Sequence, residues 1–154
     1  MTSLNIFSPN TMHERGRYPY KLLVKYPHLS PDDRITWERF IRLHPDAYLS
    51  VDYDFALAPI HEITDKAAEL GIAGTERVWK YRCDVVGYTA SEIHLIEVKN
   101  RATPKTIGQL VQDYHLFMRD EKPEKNVETF IICREATPEM DYLCAKEDIY
   151  LIIV

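Results

Sequence analysis

The chain has 154 residues and a formal net charge of −5, with 45% hydrophobic and 28% charged residues. This length predicts one domain with a sizeable core, and the composition excludes a mostly disordered, collagen-like or coiled-coil chain. The longest apolar stretch, residues 150–154, is far shorter than the roughly 20 residues that span a bilayer. Residues 1–17 lack the apolar segment of a secretory signal, so we expect a cytoplasmic protein that contacts no membrane.

Three cysteines, Cys83, Cys133 and Cys144, are odd in number and unclustered. They therefore fit neither a disulfide framework nor a zinc pattern. We expect them to be small buried hydrophobic residues in a reducing compartment.

Charge is distributed unevenly along the chain. Residues 1–76 carry 8 Lys/Arg and 11 Asp/Glu, residues 77–105 carry 6 and 3, and residues 106–154 carry 5 and 10. The acidic total argues against a general nucleic-acid binder. The middle block is nevertheless basic, so the total weakens non-specific affinity without excluding a phosphate substrate.

The sequence pattern of the first third of the chain predicts an arm, a helix and a strand. Residues 1–20 are polar and rich in chain breakers, which is typical of a loosely packed arm. Ser30 as N-cap and Pro31 in the first turn predict a helix that Pro45 ends. The alternation of residues 48–57 predicts a strand, and a short helix over 62–70 follows.

The sequence pattern of the rest of the chain predicts four strands and two helices. The strands are expected over 77–88, 92–100, 127–133 and 149–154, and the helices over 104–119 and 138–145. The first two strands form a hairpin around residues 89–91, and the helix from Pro104 carries apolar residues at i, i+3, i+4 spacing. The alternation of strands and helices predicts an α/β domain with a central mixed sheet.

The hairpin brings charged residues together. A turn centred between Ala90 and Ser91 pairs residues whose numbers add up to 181, which places Asp84 opposite Glu97. Lys99 lies two residues further along the same strand and therefore on the same face. The other face is predicted to carry Cys83, Val85, Ile96 and Val98.

Two facing carboxylates on covered strands would repel each other and would lose their hydration. A hard divalent cation removes both costs, since Mg²⁺ is held by one or two carboxylates with water and phosphate. Lys99 is a compact cation that can hold water or stabilise charge on a phosphate. Spacing alone leaves open a surface hairpin with a Glu–Lys pair and an unrelated aspartate.

The two strand segments, residues 82–87 (RCDVVG) and 95–99 (LIEVK), resemble the signature of the PD-(D/E)XK nuclease superfamily. That signature is a carboxylate on one strand, a hairpin, and Glu-x-Lys on the next. The resemblance spans about residues 75–134 and extends to RecB-like branches and to phage-type small nucleases. It implies a restriction-endonuclease-like core of order αβββαβ. Cys83 stands where the family often has proline.

The resemblance implies roles for the hairpin residues. Asp84, Glu97 and the backbone carbonyl of Val98 would hold Mg²⁺ or Mn²⁺, and Lys99 would orient or activate the attacking water. The implied reaction is hydrolysis of a phosphodiester, with DNA the expected substrate and RNA a possible one. The implied products carry 5′-phosphate and 3′-hydroxyl ends.

Two helix residues extend the implied site. Gln109, in the segment Ile-Gly-Gln-Leu, resembles the glutamine of the RecB-like helix, although Tyr114 lies one residue further on than usual. A further acid commonly comes from the first helix, and Glu38 is the candidate. The competing interpretation is that Gln109 and Glu38 are ordinary polar residues on the outside of their helices.

Basic residues flank the motif and could contact phosphates: Arg77, Lys80, Arg82, Arg101 and Lys105. His94 is one residue out of phase with Glu97 and is interpreted as a structural histidine. The competing hypothesis is a catalytically silent nuclease-like module that binds nucleic acid or a protein partner. A homodimer is possible under either hypothesis.

Overall fold

A computed structural model describes residues 15–57, 69–70 and 81–154. Within these residues there are five strands, β1 Ser50–Leu57, β2 Tyr81–Tyr88, β3 Glu92–Ala102, β4 Asn126–Ala136 and β5 Ile149–Ile153. They form one mixed sheet in the order β1-β2-β3-β4-β5. The pairs β1–β2 and β2–β3 are antiparallel, and the pairs β3–β4 and β4–β5 are parallel. The predicted α/β class with a central mixed sheet is confirmed.

Three helices flank the sheet: α1 Pro31–Leu43, α2 Pro104–Glu121 and α3 Met140–Lys146. The Ser30 side chain accepts a hydrogen bond from the Asp33 amide at 3.1 Å, which confirms the predicted N-cap. Pro104 starts α2, where a missing amide proton costs no helical hydrogen bond.

The sheet carries a hydrophobic core on each face. Trp37 and Phe40 of α1 pack against Tyr53 and Val85 on one face. The face covered by α2 and α3 includes Phe55, Leu57, Leu95, Leu110, Phe117 and Met140. Strands covered on both sides bury nearly all their side chains, so a charged residue here lies against packed apolar groups.

The hairpin between β2 and β3 has the predicted register. Residues 85–88 pair with 96–93, and the numbers of each pair add up to 181. The prediction for Cys83 was wrong, because Cys83 packs in the α2-side core, on the face of Leu95 and opposite to Val85. On the neighbouring strand β1, Asp54 has φ 50°. Asp54 lies opposite Asp84, and these two residues are not paired, although the residues on either side of them are. This left-handed residue interrupts the alternation, so the side chains beyond it change faces.

The N-terminal arm is held to the sheet from residue 15 onwards. The fully buried carboxylate of Asp52 accepts hydrogen bonds from the amides of Gly16 and Arg17 at 2.7 and 2.9 Å. Tyr18 forms a bridge to Val51. Residues 16–18 are therefore attached to the sheet, and residues 1–14 of the predicted loose arm lie outside the described residues.

The predicted helix over 62–70 also falls largely outside the described residues, of which it includes only 69 and 70. The three cysteines are buried and free, as expected. Within the described part of the chain, no helix has the length and apolarity needed to cross a membrane.

Candidate metal centre

The three hairpin residues of the predicted site lie together. The ammonium nitrogen of Lys99 is 3.4 Å from Oδ2 of Asp84 and 3.5 Å from Oε2 of Glu97. The side chains of Asp84 and Lys99 are 21% and 27% exposed, whereas that of Glu97 is fully buried. The cluster therefore has a side open to solvent, formed by Asp84 and Lys99, and an inner carboxylate behind it.

Asp84 lies directly beyond the end of the β2–β3 pairing. The β2–β3 ladder ends at Val85, so the Val98 amide beyond it donates to Oδ2 of Asp84 at 3.0 Å. In an extended strand the amide and carbonyl of one residue project to the same side. By this geometry the Val98 carbonyl is expected on the side of Asp84.

Asp113 of α2 also belongs to this cluster, although the sequence motif does not include it. Its side chain is 1% exposed, and a carboxylate oxygen of Asp113, one of Glu97 and the Cys83 sulfur all lie within 4.8 Å of one another. The sequence contains one indication that Asp113 has a special position. Asp113 lies between Leu110 and Phe117 on the apolar face of the helix, where a charge is unusual.

Burial and like charges perturb the inner acids. Burial, reinforced by the carboxylates of Asp84 and Asp113, raises the pKa of Glu97 well above its usual range. Burial also raises the pKa of Asp113 to about 7. For Lys99, burial opposes the charged form, but the carboxylates of Asp84 and Glu97 outweigh it and raise the lysine pKa. Lys99 is therefore a cation at neutral pH.

The donor set fits a divalent cation. Neither oxygen of Glu97 accepts a hydrogen bond from any described residue, and the same holds for Oδ2 of Asp113. Buried carboxylate oxygens without a donor are costly. Oxygen ligands of this kind are those that Mg²⁺ and Mn²⁺ prefer, so Glu97 with Asp84 or Asp113 could hold such an ion.

Among the described residues, no hydrogen bond or ion pair joins the two helix residues of the predicted site to Asp84, Glu97 or Lys99. Glu38 forms ion pairs with Arg34 at 3.1 Å and Arg42 at 3.7 Å on its own helix, which covers the opposite face of the sheet. Gln109 is half-buried one turn before Asp113. Among the described residues, no hydrogen bond joins Gln109 to Lys99 or to the acids.

The flanking basic residues differ in their surroundings. Arg101 and Lys105 are exposed, whereas Arg82 donates to Asp54 at 2.7 Å. Arg77 and Lys80 lie outside the described residues. His94 hydrogen-bonds Tyr48 at 3.0 Å and Glu92 at 2.7 Å, so the structural interpretation of this histidine is confirmed.

Comparisons of the chain with protein-family models, with curated proteins and with solved structures gave no match. Function is therefore inferred from the geometry of the cluster and from the sequence motif.

Proposed function

We propose that the protein is a metal-dependent nuclease that hydrolyses phosphodiester bonds of DNA at Asp84, Glu97 and Lys99. One observation carries the proposal: the buried Glu97 carboxylate accepts no hydrogen bond from the described residues, yet lies behind Asp84 and Lys99. A buried acid in this position is costly unless a cation accompanies it.

Each group has a role that follows from its surroundings. Asp84 and Glu97, with the Val98 carbonyl, would hold Mg²⁺ or Mn²⁺, which supplies Lewis acidity and lowers the pKa of bound water. Lys99 keeps its proton at neutral pH. It therefore acts as a hydrogen-bond donor that orients water or stabilises charge developing on the phosphate, and it does not act as the base.

The fold supports the same proposal. The elements α1, β1, β2, β3, α2 and β4 follow the αβββαβ order of a restriction-endonuclease-like core. The signature residues lie on β2 and β3, directly beyond the paired residues 85–88 and 93–96. Arg101 and Lys105, exposed beyond the end of the motif, would contact the phosphate backbone.

A cleavage assay tests the proposal. Supercoiled plasmid, linear duplex, single-stranded DNA and RNA are each incubated with the full chain and Mg²⁺, Mn²⁺ or EDTA. We expect metal-dependent cleavage of DNA, which Glu97→Gln abolishes and the exposed control Glu135→Gln on β4 retains. Absence of cleavage with every metal and substrate would reject the nuclease.

One observation favours the competing hypothesis of a catalytically silent binding module. Glu38 is held by two arginines of its own helix, so it contributes no ligand to the cluster. Calorimetric titration separates the two hypotheses. A silent module would bind neither Mg²⁺ nor Mn²⁺ while still binding nucleic acid or a protein partner.

A further inference from the structure

We infer that Asp113 is a carboxylate ligand, beside Glu97, of the cation that Glu97 holds, an inference that rests on the metal site of the proposed function. Leu110 and Phe117, which are fully buried, lie one turn before and one turn after Asp113 on α2. A side chain at this position faces the sheet, because residues three or four apart share a helix face. Asp113 is thereby directed at Glu97 and away from solvent.

The hydrogen bonding leaves the inner oxygens of the Glu97–Asp113 pair without a donor. Lys99 faces Asp84 and only one oxygen of Glu97, Oε2. Among the described residues, no donor reaches Oε1 of Glu97 or Oδ2 of Asp113. Two carboxylates can hydrogen-bond to each other only when one is protonated. A cation between them satisfies both without that proton.

The charge of the cluster fits one divalent ion. With all three carboxyl groups ionised around a cation, Asp84, Glu97 and Asp113 contribute three negative charges and Lys99 contributes one positive charge. The remaining charge of −2 equals that cancelled by a single Mg²⁺ or Mn²⁺. Solvent and ions have access from the side of Asp84 and Lys99, which are partly exposed.

Cys83 borders the same space but is not assigned as a ligand. Its sulfur donates to the Val85 carbonyl at 3.4 Å and approaches the Ile96 carbonyl at 3.8 Å, so the thiol keeps its proton. A thiolate at this point would face carbonyl lone pairs. The site is therefore built from oxygen ligands, which favour Mg²⁺ and Mn²⁺ over Zn²⁺.

Titration of the full chain with Mn²⁺, with free Mn²⁺ followed by electron paramagnetic resonance, tests the inference. We expect Asp113→Asn to weaken binding by about tenfold or more. The matched control Asp120→Asn makes the same change on the same helix, outside the cluster, and we expect its affinity to stay within about twofold of wild type. Cys83→Ser should also bind like wild type.

The outcomes separate this inference from the proposed function. Wild-type affinity in Asp113→Asn, with binding lost in Glu97→Gln, would overturn the role of Asp113 and leave the nuclease intact. Loss of binding in Cys83→Ser would overturn the oxygen-only site. If Asp113→Asn loses Mn²⁺ binding and wild type cleaves no DNA, the inference is supported and the nuclease is rejected. Binding of no metal by wild type would reject both.

Circular dichroism establishes that each variant is folded before titration. If Asp113→Asn is unfolded, Asp113→Ser takes its place, since its smaller side chain removes the carboxylate without adding bulk. Retained Mn²⁺ affinity in the folded serine variant would overturn the inference in the same way.

Discussion

Glu97 on β3 and Asp113 on α2 bring carboxylate oxygens within 4.8 Å of each other inside the protein, where both side chains are at most 1% exposed. The described residues supply no hydrogen-bond donor to either Glu97 oxygen or to Oδ2 of Asp113. The cost of this arrangement is offset when a cation is bound. Metal binding and stability are therefore expected to be coupled, and the first two predictions follow from that coupling.

Glu97→Gln should stabilise the metal-free protein near pH 8 by about 1–3 kcal/mol, because it removes a buried charge and gives Asp113 an amide donor. The same variant should lose the increase in unfolding free energy that Mg²⁺ gives to wild type. Urea denaturation with and without Mg²⁺ measures both effects. The exposed variant Glu135→Gln serves as control. A Glu97→Gln protein that Mg²⁺ still stabilises would contradict the assignment of Glu97.

The stability of the metal-free protein should fall as pH rises from about 4 to about 7. The pKa of Asp113 is raised to about 7 in the folded state. Over this window the unfolded chain releases the proton while the folded protein retains it, so folding becomes less favourable. The raised pKa of Glu97 acts in the same direction. The contribution of Asp113 is at most about 4 kcal/mol, at roughly 1.4 kcal/mol per pKa unit.

Thermal or urea denaturation from pH 4 to pH 8 in EDTA measures this dependence. Asp113→Asn should have a shallower decline than wild type, and Asp120→Asn should follow wild type. Identical pH slopes for wild type and Asp113→Asn would mean that Asp113 titrates normally.

Asp52→Ala should destabilise the protein by about 3 kcal/mol or more. The Asp52 carboxylate is fully buried and accepts hydrogen bonds from the Gly16 and Arg17 amides and from the Tyr88 hydroxyl. Removing it leaves buried donors unsatisfied. Tyr88→Phe, which removes one of these donors, should cost less, about 1 kcal/mol. Urea denaturation compares the two, and equal stability of Asp52→Ala and wild type would contradict the role of this anchor.

Arg101→Ala should weaken DNA binding more than Arg82→Ala. Arg101 is exposed, whereas Arg82 is held by Asp54. Removing one ion pair between the protein and a DNA phosphate reduces the slope of log K against log salt by about 0.9. Fluorescence anisotropy over a salt series, with Ca²⁺ in place of Mg²⁺, measures the slopes. An Arg101→Ala slope equal to that of wild type would remove Arg101 from the interface.

The hairpin and its charged residues could be predicted because strand pairing is periodic. Once the turn is located, the positions of Asp84, Glu97 and Lys99 follow from counting. The helix starts at Ser30 and Pro104 could be predicted for a similar reason, since capping and proline preferences are local.

The parts that could not be predicted depend on tertiary contacts. The left-handed conformation of Asp54, and the face on which Cys83 packs, are selected by the folded sheet and not by a local turn motif. The docking of Gly16 and Arg17 depends on Asp52, far away in sequence. Asp113 could not be placed in the site because periodicity reports which face of a helix is apolar and does not reveal which buried acid lies opposite it.

Single-turnover cleavage of plasmid DNA with Mg²⁺ by wild type and Lys99→Met is the decisive test of the nuclease assignment. Lys99→Met removes the ammonium beside Asp84 and Glu97 while keeping a long apolar stem, and Lys146→Met on α3 makes the same change far from the motif. We predict that Lys99→Met lowers the cleavage rate by about 100-fold or more, with Lys146→Met unchanged. Equal rates for wild type and Lys99→Met, or cleavage that persists in EDTA, would contradict a metal-dependent nuclease centred on Lys99.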